Sequence, residues 1–444
     1  MKMKSSQNDM TVGNPMKIIL SFTFPIFLGN VFQQFYNMAD AVIVGKFVGN
    51  KALAAVGSTG TIMFLIYGFV VGMTAGFTVL TAQKFGAGDM EGMRKTVVGA
   101  GVLSFVIGTI LTILFMVFMK PLLILMNTPS DIFADSYAYI MIVSGGILAQ
   151  MLYNLLSSIL RALGNSKLPL YFLIISAILN IFGDLFFVIV LKAGSNGCAI
   201  STVLSEALCC LFCIIYIQKK VPILRLGKKW LVFDARLLKK TIAYGWASAM
   251  QQATVQMGKI AIQALVNTMG VSVAAAFAVV NRIDDFAITP EQNIAHAMTA
   301  LMAQNKGAGK NDRMREGFRC GMILELVYGA AVMLICLGFA RPLMSLFVKD
   351  EEVIGHGVVY LHLIAVMYIL PAITNSLQGF FRGIGDLKVT LMSSFTNMAV
   401  RVIAAAPMIL LWNFGIEALP YSYLAGWVAM LLVETPLMIR IYRK

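Results

Sequence analysis

The chain has 444 residues, of which 59% are apolar and only 13% charged, with a mean hydropathy of +0.81. A soluble domain carries roughly a quarter charged residues, so this composition excludes an ordinary water-facing globule. The net charge of +14 does not indicate nucleic-acid binding, because the basic residues fall between apolar runs rather than in patches interleaved with exposed aromatics.

Runs rich in Leu, Ile, Phe and Met, about 20 residues or longer, match helices that cross a bilayer, and they lack the short alternation of a membrane barrel. The expected fold is therefore an all-α integral membrane protein with twelve transmembrane helices in two six-helix bundles. In chain order the spans are expected near 16–44, 52–82, 95–119, 134–160, 168–191 and 196–217. Six more follow near 239–268, 273–304, 317–340, 353–380, 387–411 and 416–441. Several exceed the minimum length, which predicts tilt, kinks or protruding ends.

Of the 35 Lys and Arg residues, 26 fall at the termini or in even-numbered loops. The positive-inside rule then places both termini in the cytoplasm. The first residues, MKMKSSQNDM, are polar and precede no small-residue cleavage site, so no signal peptide is expected. Cys198, Cys209, Cys210, Cys213, Cys320 and Cys336 lie in or beside apolar runs, where packing is expected rather than disulfide or zinc chemistry.

The chain repeats itself at an offset of 221 residues. QKFGAGDMEGMRK from Gln83 returns as QNKGAGKNDRMRE from Gln304, and the offset pairs Pro121 with Pro342, Tyr139 with Tyr360 and Asn154 with Asn375. It also pairs Arg161, Gly164 and Lys167 with Arg382, Gly385 and Lys388. Six helices per repeat is an even number, so the two halves enter the bilayer from the same side as a parallel repeat. The expected division is 1–218 for the N-terminal lobe, 219–238 for a basic cytoplasmic linker and 239–444 for the C-terminal lobe.

Ionisable groups inside a span are costly and mark functional positions. On the first span Gln33, Asn37 and Asp40 share a helical face, and on the fifth Asn180 and Asp184 do the same. Two acids with amide neighbours suit reversible binding of H+ or Na+; either acid could instead cap a helix or pair with Lys46. The offset carries Asp40, Asn180 and Asp184 onto Ala261, Arg401 and Ala405, so the acids belong to one lobe only. Pro25 permits a kink in the first span and is the candidate hinge. Arg282, Asp284, Asp285 and Glu291 cluster around Pro290 and admit two readings, a second cation site or an internal ion pair. Glu206, Glu325 and Glu434 are expected to pair with basic neighbours, and His296 to be a hydrogen-bonded interior residue. No phosphate loop, HExxH or GxSxG is present, so neither a transport ATPase nor any other enzyme is expected.

The stretches FYNMADAVIVGKFVGNKALAAVG, QKFGAGDMEGMRK, LRALGNSKLP and NIFGDLFFV, with NRIDDF, QNKGAG and FFRGIGDLK, resemble the multidrug and toxic compound extrusion family over nearly the whole chain. The resemblance implies two six-helix lobes in a V and export of cationic or amphipathic organic molecules in exchange for H+ or Na+. It implies no cofactor and no obligate protein partner, and a place in the cytoplasmic membrane of a prokaryote. In prokaryotic relatives the cation site matches Asp40, Asn180 and Asp184, with Thr202 a weaker match, and Na+ would bind there. Substrate contacts map onto Gln33, Tyr36, Asn37, Tyr139 and Asn154. One departure is the seventh span, GWASAMQQATVQMGKIAIQ, which lacks the acid that one branch uses for sodium. The alternatives are a lipid-linked oligosaccharide flippase of the same broader superfamily, which would need a strongly cationic cavity, and a channel.

Overall fold

The computed structural model describes residues 9–225 and 234–442, so part of the expected 219–238 linker lies outside the described residues. Fourteen α-helices account for the apolar runs, and no strand occurs among the described residues. They are α1 (Pro15–Ile43), α2 (Asn50–Gly86), α3 (Met90–Leu125), α4 (Ser130–Gly145), α5 (Ile147–Ala162), α6 (Lys167–Leu185) and α7 (Gly194–Lys220). The second series is α8 (Ala235–Val266), α9 (Val271–Gly307), α10 (Asn311–Ser345), α11 (Glu351–Ala365), α12 (Ile369–Ile384), α13 (Leu387–Leu410) and α14 (Ala418–Tyr442).

Twelve expected spans become fourteen helices because two of them break. The pair α4 and α5 is bent by 45° at Gly146, and α11 and α12 by 54° at residues 366–368. Eight single helices and these two bent pairs are long and apolar enough to cross a membrane. The remaining two, α8 and α9, have the length but carry Gln251, Gln252, Gln256 and Lys259, and Arg282, Asp284, Asp285 and Glu291 respectively. Such polar residues in a span are tolerated where they face protein or water rather than lipid.

The repeat is visible in the helix limits. α2 and α9 begin and end 221 residues apart, and α3 and α10 begin 221 apart. Gly88 and Gly309, at φ of 71° and 68°, close α2 and α9 in the left-handed region that a side chain would resist, as do Gly164 and Gly385 for α5 and α12.

The chain forms two compact units. One contains Phe24–Ala249, and the other contains Met10–Thr23 and Met250–Lys444. In the first, Phe77, Met119, Ile140, Met151 and the cysteines Cys209, Cys210 and Cys213 are buried together, so that cysteine cluster is packing material. In the second, Phe277, Tyr360, Tyr368 and Trp427 form the core. Here the Met10 backbone N–H donates to Gln304 Oε1 at 3.0 Å, and Asn305 Nδ2 donates to the Met10 carbonyl at 3.1 Å, anchoring the start of the described chain.

Candidate cation and substrate site

Within the first unit, α1 and α6 bring Asp40 and Asp184 face to face, with their carboxyl groups in side-chain hydrogen-bonding reach of one another. Asn180, one turn before Asp184, donates from Nδ2 to the Thr202 hydroxyl at 3.2 Å. Ser201 stands beside Asp184 as well, but its single proton goes to the Asn180 carbonyl at 2.8 Å. Both Asp184 oxygens, Asp40 Oδ1 and Asn180 Oδ1 are thus buried without a donor.

Each unmet buried acceptor costs about 1–3 kcal/mol, more when charged. Facing carboxylates repel unless a proton or cation lies between them. One shared proton relieves the repulsion and joins two of these oxygens, whereas one small cation ringed by them would serve all four. No three of His, Cys, Asp and Glu converge as a multivalent metal would require, among the described residues. Lys46 is exposed and makes no ion pair with either acid among the described residues, and neither acid caps a helix in the described structure.

Gly183 explains how α6 comes so near α7. A Cβ at Gly183 would lie 3.2 Å from the Ser201 Cβ and nearer still to its hydroxyl, so only glycine allows Asn180 and Asp184 to meet Ser201 and Thr202. Two further features were not legible beforehand. α1 runs directly into a π-helical turn at Val44–Val48, and α6 into another at Phe186–Val190. The two pack together through Val44, Val188 and Cys198, and each lies within a few residues of one of the acids. Wider π turns inside α-helices concentrate at functional positions. The second unit continues from α8 through a 3-10 turn and has no such turn after α13.

The expected substrate residues separate into groups. Gln33 donates to the Tyr67 hydroxyl at 3.1 Å and also reaches Tyr36, and both tyrosines lie near Glu206. Asn154 donates to the Gln150 carbonyl at 2.9 Å, and the Gln150 amide donates to Glu206 at 3.4 Å. Tyr139 lies instead beside Asp40, Asp184 and Cys198. Asn37 is exposed, although it shares the spacing of Gln33 and Asp40. Pro25 sits inside a continuous α1.

The acids expected to pair with bases do otherwise. No base lies within ion-pair distance of Glu206, Glu325 or Glu434 among the described residues. Glu434 accepts from Gln378 at 2.5 Å and from Ser393 at 2.7 Å, while neither oxygen of Glu325 has a donor. His296 is half-buried and has an interaction partner. The group around Pro290 is not one site. Asp285 is exposed and pairs with Lys259 at 3.7 Å, Asp284 is buried and accepts from the Tyr368 hydroxyl, Glu291 accepts from Asn375 at 3.3 Å, and Arg282 is exposed. One helix turn separates neighbours in sequence onto different faces, which sequence proximity cannot display.

Comparison with known proteins identifies the family and the fold. The sequence profile of a family described as MatE matches residues 25–186 and 247–407. The probable multidrug resistance protein YpnP of Bacillus subtilis (strain 168) is 31% identical over 407 residues, spanning 88% of each protein. Two crystal structures of MATE share the fold. The one in the bent conformation has a TM-score of 0.92 at 22% identity, covering 98% of this chain and 97% of that one. The one in the straight conformation has a TM-score of 0.90 at 21% identity, covering 99% of both chains.

Proposed function

Because the chain belongs to the MatE (multidrug and toxic compound extrusion) family of multi-pass membrane transporters, we propose that it is an antiporter that exports organic cations or amphipathic drugs in exchange for H+ or Na+. The observation that carries this reading is the pair Asp40 and Asp184, facing each other with three donor-less oxygens and a fourth from Asn180. Asn180 and Thr202 complete the polar wall. Binding a proton or Na+ between the two carboxylates removes their mutual repulsion and draws α1 and α6 together, and release lets them part. The adjoining π-helical turns and Pro25 are where α1 accommodates that change. Gln33, Tyr36, Asn37, Tyr139 and Asn154 contact the substrate. The protein lies in the cytoplasmic membrane with both termini inside, its lobes joined by the basic segment around 219–238. The flippase reading needs a strongly cationic cavity, and of the three bases Lys259, Arg282 and Arg401, Arg401 is buried against Tyr423 and Lys259 pairs with Asp285, which leaves Arg282.

Purified protein in liposomes loaded with a fluorescent cationic dye tests the proposal, with pH and sodium gradients imposed separately at clamped membrane potential. Dye should move under one of the two gradients, and Asp40→Asn and Asp184→Asn should abolish that movement while the proteins remain inserted. Gradient-driven transport at the wild-type rate by both variants would refute it, and ion flux without dye exchange would favour a channel.

A further inference from the structure

We infer that Glu206, flanked by Tyr36 and Tyr67, is a cation-selecting subsite that holds the ammonium or amidinium head of the substrate. The inference rests on the transport reading but concerns a carboxylate that the coupling site does not use. Glu206 lies near the middle of α7, at the depth where an unpaired acid is most costly in a bilayer. Its one hydrogen bond among the described residues is the long contact from Gln150, and no Lys, Arg or His is within ion-pair distance. Arg161 stands toward Tyr67 and Tyr153 and donates to Ser158 at 3.3 Å.

What surrounds Glu206 is suited to an organic cation. Tyr36 from α1 and Tyr67 from α2 both feel its charge, and Gln33 donates to Tyr67, holding that ring in place. Aromatic rings near a carboxylate suit quaternary and protonated amines, which aromatic side chains bind through their π systems. Gln33, Tyr36, Tyr67, Gln150 and Glu206 are all half-buried, none sealed in the core, so a ligand can reach them.

The repeat supplies an internal contrast. The position of Glu206 in the second unit is Trp427, and there the protein provides its own cation, the Arg401 guanidinium, 5.6 Å from the indole centre. The first unit has Asn180 at the place of Arg401, so the acid and its tyrosines are left for an external cation.

The test is equilibrium binding to purified full-length protein without any gradient, by ligand-detected magnetic resonance. The probes are benzyltrimethylammonium and its uncharged carbon isostere, neopentylbenzene. Glu206→Gln, which retains size and a partner for Gln150, should weaken the ammonium roughly 10- to 100-fold, as expected for loss of a charge-assisted contact, and leave the isostere within about twofold. Glu206→Asp should retain most of the ammonium affinity. Equal ammonium affinity in wild type and Glu206→Gln, or no binding to the wild type, overturns the inference. So does equal weakening of both probes, which would mark a general loss of structure. Because binding is read without a gradient, failure of the antiport reading would appear only in the liposome assay, and failure of this one only here.

Discussion

Arg401 occupies in the second unit the repeat position that Asn180 holds in the first, and its guanidinium lies 3.7 Å from the centre of the Tyr423 ring. Tyr423 in turn is the counterpart of Thr202, the partner of Asn180. The same two helix positions therefore hold an amide and a hydroxyl beside two acids in one unit, and a permanent cation on an aromatic ring in the other. Where Asp40 and Asp184 would recur stand Ala261 and Ala405. At these repeat positions the second unit carries a covalent charge, and only the first has acids that a proton or cation can neutralise.

This predicts that Arg401 is structural. A desolvated cation–π contact contributes about 2 kcal/mol, so Arg401→Met should lower the thermal midpoint of the purified protein. Arg401→Lys should recover only part of it, because an ammonium cannot stack as a planar guanidinium does. An unchanged midpoint in Arg401→Met would contradict the assignment.

The close approach at Gly183 predicts a graded series. Gly183→Ala should reduce gradient-driven dye transport by displacing Ser201, whose hydroxyl holds the Asn180 carbonyl. Gly183→Val should abolish transport, since a branched side chain has no room between α6 and α7. Adding Ser201→Ala to Gly183→Ala should restore part of the activity. Full activity in Gly183→Val would mean that the helices need not touch.

Asp89 caps α3, accepting from the Gly92 N–H at 2.8 Å and pairing with Lys84 at 2.8 Å. The Lys84 ammonium, then the Gly92 N–H, hold its carboxyl below the ordinary value of 3.8. The group is depressed in the folded state, so its contribution is complete above about pH 4 and is lost as pH falls through the lower folded value. Loss of the cap costs about 1 kcal/mol, and screening at this half-exposed site adds little to it. Hydrogen exchange at Gly92 should quicken in Asp89→Ala at neutral pH, and in the wild type only at strongly acidic pH.

Lys259 and Asp285 pair at 3.7 Å with side chains 58% and 62% exposed. Exposed pairs contribute about 0–1 kcal/mol. The double variant Lys259→Met and Asp285→Asn should therefore retain both the thermal midpoint and dye transport, and loss of transport would return this pair to the coupling machinery.

Much of the architecture was legible in the linear chain. Twelve apolar runs and a gapless 221-residue offset sufficed for the spans and the duplication, because hydrophobic length and register are one-dimensional properties. The grouping of Asp40 with Asn180 and Asp184 was also reachable, since four-residue spacing defines a helix face and the repeat shows alanines where Asp40 and Asp184 would recur. Gln150 could have been added by the same spacing, four residues before Asn154.

Other features had no such signal. The breaks at Gly146 and at residues 366–368 divide runs that remain apolar throughout. The π-helical turns beside both acids, at Val44–Val48 and Phe186–Val190, are marked by no residue type in the sequence. The residues around Pro290 looked like one charged group and are four different environments, because a helix turns 100° with each residue. Glu206 looked like an isolated acid awaiting a base, and only the packing of α1, α2, α5 and α7 around it shows two tyrosines and no base. The sequence by itself determined the apolar runs, the repeat and which half carries Asp40 and Asp184, since these follow from hydrophobic length, register and composition. The tertiary structure decided which buried oxygens remain without donors and which charges meet, because both depend on distances between helices that the chain places far apart in sequence.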